Sequence, residues 1–335
     1  LIKFIKHAKH YNMEIIPLVQ TFGHMEYALK LKEFAHLREN SQQPAAICPS
    51  NNMSIVLITN MLTQIIKLHT PIMPLKHIHI GCDEVYNFNE CPLCRTRFLD
   101  KNTLFMGHVQ KVSEIVRELS PHTKVLIWSD MILRNKKPEK YTLFDNIEPV
   151  WWHYSSDFRE WSHAVAYNLH LQFNEIWIAS AFKGADGFSA AIPNIRSRFS
   201  NNVEWMKLIF NYRFGGENKV YNFKGIILTG WSRYSHMSIQ CELLPIAMPS
   251  LLLNLMLITT LKKGIQDDLT QTDICEFFNK YLKTDFENIF QTLPSKDNKC
   301  TFEETKLHKE FDEVFNFEPI DICLQELRTT EMFLS

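Results

Sequence analysis

Short, continuous apolar runs recur along this chain, each followed by a polar cluster and then by a helical stretch. They fall at 14–19, 76–80, 125–128, 149–152, 176–180 and 225–229. Continuous rather than alternating apolarity marks strands covered on both faces. Between two such runs, Ile55, Ile58, Met61, Leu62, Ile65 and Ile66 repeat with helical spacing over 53–69, and Val109, Val112, Ile115 and Val116 do so over 107–119. Strand alternating with helix predicts parallel βα units, hence an α/β fold.

The polar residues stand just after the predicted strands: Gln20-Thr21-Phe22-Gly23-His24, Gly81-Cys82-Asp83-Glu84, Ser129-Asp130, His153-Tyr154, Lys183-Gly184 and Gly230-Trp231. Parallel sheets and barrels build their sites from such carboxyl-terminal ends. No GxGxxG and no P-loop follows a strand, so neither a dinucleotide nor an NTP site has support. Polar and aromatic groups at so many strand ends favour a (β/α)8 TIM barrel over an open sheet. Six strands are visible, so the first two are expected to precede Leu1. The opening reads as a helix running into a strand, with no signal peptide, and the chain is expected to begin inside a domain. Residues 1–262 are assigned to the N-terminally incomplete barrel. Residues 263–335, charged and Phe-rich, are assigned to a helical C-terminal extension, with Ile274, Phe277, Phe278 and Tyr281 at helical spacing.

The sharpest segment is His77-Ile78-His79-Ile80-Gly81-Cys82-Asp83-Glu84. Past a glycine the backbone can turn so that two adjacent carboxylates reach one pocket. Neighbouring carboxylates raise each other's proton affinity, so one can serve as an acid while the other stays charged. Glycoside cleavage needs that division of labour. An Asp-Glu pair by itself also fits a solvated pair or metal ligands. Trp128, Trp152 and Trp231 end three separate strand candidates. They read either as core at a barrel rim or as flat faces for sugar C–H surfaces.

The segments PLVQTFGHMEYALK, HIHIGCDEVY, LIWSDM, EPVWWHYSSD, ASAFKGADG and GIILTGWSRYSH together resemble the family 20 glycoside hydrolases, from about residue 2 to residue 261. The resemblance implies a β-N-acetylhexosaminidase acting by substrate-assisted catalysis on a glycan or glycoconjugate with a terminal N-acetylhexosamine. It implies Glu84 as general acid and then base, and Asp83 as holder of the 2-acetamido group. Trp128, Trp152 and Trp231 become the aromatic walls, His24 a histidine near the acid, and Asp130 and Tyr154 residues of the same mouth. Two features depart from the family. Its Arg and Asp from the first two strands have no match, and Ala181-Phe182-Lys183 stand where secreted relatives carry a tyrosine. A catalytically silent sugar-binding protein that keeps part of the pocket is the alternative. The resemblance suggests cytoplasm and nucleus over a lysosomal or extracellular location.

Composition narrows the partners. Lys and Arg number 36 against 37 Asp and Glu, a formal charge of −1, which gives no nucleic-acid footprint. The uncharged stretch 243–261 holds Pro245, Pro249, Asn254 and two threonines, and reads as a buried helix capped by Ser250 rather than a membrane span. No cofactor and no metal are expected, and a homodimer is the oligomer to test for. Cys91-Pro92-Leu93-Cys94 is half of a zinc knuckle or a redox pair in spacing. It lacks two obvious further ligands, with Cys48 a remote candidate, so two plain loop cysteines are the expectation. His77 and His79 are expected to be packed or capped rather than metal-bound.

Overall fold

The structure is a computed structural model and describes residues 1–134, 146–158, 161–214, 223–236 and 238–264. Its strands are β1 (Arg38–Asn40), β2 (Gln43–Ile47), β3 (His77–His79), β4 (Lys124–Trp128), β5 (Ile147–Trp152), β6 (Ile176–Lys183) and β7 (Phe223–Gly230). Its helices are α1 (Ile2–His10), α2 (Glu26–Leu29), α3 (Asn52–His69), α4 (Pro92–Arg95), α5 (Lys101–Leu119), α6 (Asp130–Leu133), α7 (Trp161–Gln172), α8 (Ile195–Phe214) and α9 (Leu244–Gly264), with a 3-10 turn at Lys32–Leu37.

The main sheet has five strands in the order β3-β4-β5-β6-β7. β3 pairs parallel with β4, His77 opposite Lys124, and β4 pairs parallel with β5, Val125 opposite Ile147. Spatial order equals chain order, with no reversal of the kind that defines a doubly wound sheet. This is barrel-type winding, in a sheet that the described residues leave incomplete. Residues 17–19 flank β3 on its other side: the Val19 N–H donates to His79 O at 2.8 Å and the His79 N–H to Pro17 O at 2.9 Å. The predicted strand at 14–19 thus shrinks to one parallel bridge, Leu18 with His79. Pro17 in its middle has no N–H to give a ladder.

The chain divides into two compact units. The first holds Leu1–Trp152, Arg159–Ile178 and Tyr221–Ile226; the second holds His153–Phe158, Ala179–Val220 and Ile227–Ser335. In the first unit Ile78, Ile80, Val125, Leu126 and Ile127 on the strands are buried, as are Ile58 and Leu62 of α3 and Val112 and Val116 of α5. The Asn51 side chain caps α3 by accepting the Met53 N–H, and Asp100 caps α5 by accepting the Thr103 N–H. That cap starts α5 six residues before the periodicity at 107–119 begins, because Lys101, Asn102 and Thr103 carry no apolar repeat. In the second unit Val203 and Met206 of α8 pack with Leu257 of α9.

Three further expectations change. Ser250 is not a cap: α9 begins at Leu244 and takes Pro249 into its body, while the buried Ser250 hydroxyl donates to Phe182 O at 2.7 Å. β6 runs on to Lys183, so that residue ends the strand instead of following it; it is buried, and its ammonium donates to Trp231 O. The antiparallel β1–β2 hairpin, Arg38 opposite Ile47, stands where no strand was predicted. Among the described residues no helix is long and apolar enough to cross a membrane. The predicted extension lies almost wholly outside the described residues, beyond Gly264.

Candidate active site

The site grows from the turn that ends β3. Gly81 and Cys82 have φ of 71° and 67°, and Glu84 has φ of 49°. The first suits glycine; the others hold L-residues in left-handed backbone, at about 1–3 kcal/mol each. A Cβ on Gly81 would also meet Gln20 Oε1 at 1.8 Å. Several hydrogen bonds hold the turn. The Gly81 N–H donates to His79 Nδ1 at 2.9 Å, and the Cys82 N–H to Gln20 Oε1 at 3.2 Å. The Thr21 hydroxyl donates to Ile80 O at 2.8 Å, and the Trp128 N–H to Gly81 O at 3.1 Å.

This backbone brings both carboxylates to His24. Its Nε2 lies 3.3 Å from Asp83 Oδ2 and 3.4 Å from Glu84 Oε2. His24 itself has φ of 51°, and its neighbour Gly23 lies so close to the turn that a Cβ there would meet Asp83 O at 2.7 Å. Burial pulls the His24 imidazole down, but the hydrogen bonds and charges of Asp83 and Glu84 outweigh it and raise its pKa to about 10. Burial pushes the Asp83 carboxyl up, yet His24 and the Gln20 amide, which donates at 2.9 Å, leave it below the usual carboxylate value. The result is an imidazolium shared by two acids, with Asp83 held ionised. The Glu84 carboxyl is the more open of the two, at 41% side-chain exposure against 15% for Asp83.

Asp130, at the start of α6, extends the cluster. Its Oδ2 accepts the Glu84 N–H at 3.0 Å and its carboxyl hydrogen-bonds the Trp152 side chain. Burial, aided by the Asp83 and Glu84 charges, raises Asp130 to about 6. Trp128 is 3% exposed and its ring centroid lies 4.5 Å from that of His79. It therefore backs the strand that carries the carboxylates. His79 is buried as the neutral ring, its pKa lowered to about 3 by desolvation, and His77 lies 3.5 Å from Glu148, so both are packed as expected. In the second unit the Trp231 indole donates to the Tyr154 hydroxyl at 3.1 Å. Thus His24, Asp83, Glu84, Asp130 and Trp152 form one connected cluster, Trp128 lies on the same sheet, and Tyr154 and Trp231 form a pair of their own. The residue missed by sequence reasoning is Gln20. Its signal was present, a polar residue ending the first strand run, but nothing there showed that its amide would bridge Cys82 and Asp83.

A parallel sheet wound in chain order, with paired carboxylates past one strand end, defines a class. A family model for the glycosyl hydrolase family 20 catalytic domain matches residues 1–169. The chain belongs to that family. It is 37% identical over 280 residues to a human protein named Hexosaminidase D, covering 80% of this chain and 55% of that protein. A bovine protein of the same name is 36% identical over 260 residues, covering 75% of this chain and 72% of the relative. The chain thus spans about half the length of the human relative. Among solved structures, a β-N-acetylhexosaminidase from Bacteroides fragilis aligns with TM-score 0.55 at 16% identity, over 86% of this chain and 55% of its own. Pneumococcal StrH aligns with TM-score 0.51 at 13% identity, over 96% and 76%. These likenesses support the TIM-barrel-like fold alone.

Proposed function

We propose that the protein is an exo-acting β-N-acetylhexosaminidase, hydrolysing terminal N-acetylglucosamine or N-acetylgalactosamine with retention of configuration. The observation that carries the reading is the Asp83–Glu84 pair, set in a turn whose Gly81, Cys82 and Glu84 are left-handed and clamped by one imidazolium. The names of the two mammalian relatives agree with it.

In the first step the substrate's acetamido oxygen attacks its own anomeric carbon. The bond to the leaving oxygen breaks as Glu84 gives that oxygen its proton. The product is a cyclic oxazolinium with positive charge on nitrogen. Asp83, kept ionised by His24 and Gln20, accepts a hydrogen bond from the acetamido N–H and stabilises that charge. In the second step Glu84, now a carboxylate, takes a proton from water as its oxygen attacks the anomeric carbon and the acetamido re-forms. Two inversions give retention, and the protein needs no nucleophilic carboxylate of its own. Holding the acetamido against the carbon it attacks converts a bimolecular event into an intramolecular one, worth up to about 7–11 kcal/mol in well-oriented systems. Asp130 is a positioning residue that fixes the Glu84 backbone. Trp128 and Trp152 are assigned to the support of the carboxylates in the first unit.

The fold that goes with this activity is a (β/α)8 barrel, of which residues 1–262 are the N-terminally incomplete part, with a helical extension at 263–335. Cytoplasm and nucleus are the proposed location, and fractionation of cells with an antibody to the chain tests it. The activity is tested by incubating purified protein with aryl N-acetyl-β-glucosaminide and N-acetyl-β-galactosaminide. Release of the aryl alcohol from either supports the reading. A folded protein that binds N-acetylhexosamine and releases nothing would replace it with the silent sugar-binding one.

A further inference from the structure

The three-dimensional structure joins residues that spacing alone kept apart. Glu39 from the middle of β1, Cys48 just after β2, and Cys91 and Cys94 around α4 place one ligand atom each within 4.8 Å of all the others. Cys48 Sγ lies 3.4 Å from Cys91 Sγ and 3.7 Å from Cys94 Sγ, and Cys94 Sγ lies 3.2 Å from Glu39 Oε2. Around a tetrahedral zinc, with Zn–S about 2.3 Å and Zn–O about 2.0 Å, neighbouring ligand atoms stand roughly 3.5–3.8 Å apart. The three edges just given match that spacing to within a few tenths of an ångström, and the other three lie within 4.8 Å.

We propose that Glu39, Cys48, Cys91 and Cys94 bind a structural zinc ion, apart from the glycosidase site. All four positions are filled by protein, which is the closed arrangement of a structural site. Cys48, Cys94 and Glu39 are 2%, 0% and 3% exposed, so incoming water has no open coordination position on their side.

Second contacts orient the ligands as a metal site requires. Glu39 Oε1 is occupied by the Glu90 and Cys91 N–H groups at 2.7 and 2.9 Å, which leaves Oε2 to face the thiols. The Cys94 N–H donates to Cys91 Sγ at 3.3 Å, across the CxxC turn. Cys94 Sγ also lies 3.2 Å from Ser50 Oγ, a further contact that fixes the thiol. The Glu39 carboxylate has no ion pair among the described residues and faces three free cysteines, which together offer a cation one oxygen and three sulfur ligands. Soft thiolates select zinc over magnesium or calcium. Binding releases the thiol protons to solvent. The ion would tie the β1–β2 hairpin to the segment that follows Glu84.

The experiment is elemental analysis of the whole chain, purified without chelator from cells supplied with zinc, and paired with cobalt substitution. About one zinc per chain is expected. The cobalt form should show the intense near-ultraviolet thiolate-to-cobalt band and the visible bands of a tetrahedral site. A zinc chelator should lower the unfolding temperature, and re-added zinc should restore it. Glu39→Gln, which keeps three thiols, should weaken zinc binding at least tenfold. Cys94→Ser should either lose cobalt altogether or keep it with about a third less of the thiolate band. If that variant does not fold, the spectrum of the unsubstituted protein decides. A folded, reduced chain with no zinc and no cobalt band overturns the proposal. So does mass spectrometry that finds a disulfide among Cys48, Cys91 and Cys94 in protein isolated without reductant.

Discussion

The stretch from Gly81 to Cys94 carries two clusters of opposite character. At its start, Asp83 and Glu84 sit in a turn with left-handed backbone at Gly81, Cys82 and Glu84, one carboxyl open to solvent, with an imidazolium between them. At its end, Cys91 and Cys94 face Cys48 and Glu39 behind several N–H donors, in a region closed to solvent on most sides. The first stores strain and charge, as sites that must react do. The second satisfies its polar groups and fastens three segments, as sites that must hold do. Substitutions in the first should therefore cost turnover more than stability, and substitutions in the second the reverse.

The largest expected effect is at Glu84. Glu84→Gln should lower kcat by about 100- to 10,000-fold on substrates with poor leaving groups, the usual worth of a positioned acid. The loss should shrink for aryl substrates, whose leaving group needs no proton in the first step. Steady-state kinetics on both substrate types checks this, and a Glu84→Gln protein as active as the parent would assign the acid elsewhere. Asp83→Asn comes next. It should cut kcat roughly 100-fold, since it removes charge that matters only in the transition state, while the midpoint of thermal unfolding moves little.

Asp130 separates activity from stability. Its folded pKa of about 6 lies above the ordinary carboxylate value, so between those values the folded state binds more protons than the unfolded one. The carboxyl therefore costs stability as pH rises through that window. Asp130→Asn should raise the unfolding temperature at pH 7 and leave it nearly unchanged at pH 4. It should also lower kcat, because the carboxylate no longer holds the Glu84 N–H and the Trp152 side chain. Scanning calorimetry at both pH values, beside kinetics, reads both signs. His24 has the opposite linkage. Its pKa is raised from 6.5 to about 10, so its stabilisation is complete below pH 6.5 and is lost as pH rises toward 10. His24→Gln should erase that alkaline loss in a pH series of unfolding temperatures. The smallest effect is expected at Gln20. Gln20→Ala removes one hydrogen bond to Asp83 and should lower kcat a few-fold, with KM little changed.

Much of this contrast could be read from the sequence at one end and very little at the other. The carboxylates stood out because two adjacent acids follow a glycine at the end of an apolar strand, beside strand-end tryptophans and in segments that together resemble one family. The strands at 76–80, 125–128, 149–152, 176–180 and 225–229 were legible because doubly buried strands are continuously apolar. The β1–β2 hairpin was not, since Arg38, Asn40, Gln43 and Pro44 give neither alternation nor apolar run. Without the hairpin, Glu39 and Cys48 had no reason to meet Cys91 and Cys94, and the CxxC looked like half a site. Ser250 misled because a serine after a proline is an ordinary helix start, whereas here α9 accepts Pro249 within it and spends the hydroxyl on Phe182 O.

The central claim is that the substrate's own acetamido group is the nucleophile. The measurement that meets it most directly compares two aryl β-glycosides identical except at carbon 2, one with an acetamido and one with a hydroxyl. Release from the acetamido substrate with none above background from the hydroxyl one is the predicted result. Comparable kcat/KM on the two would contradict the account, because the protein would then have to supply the nucleophile itself.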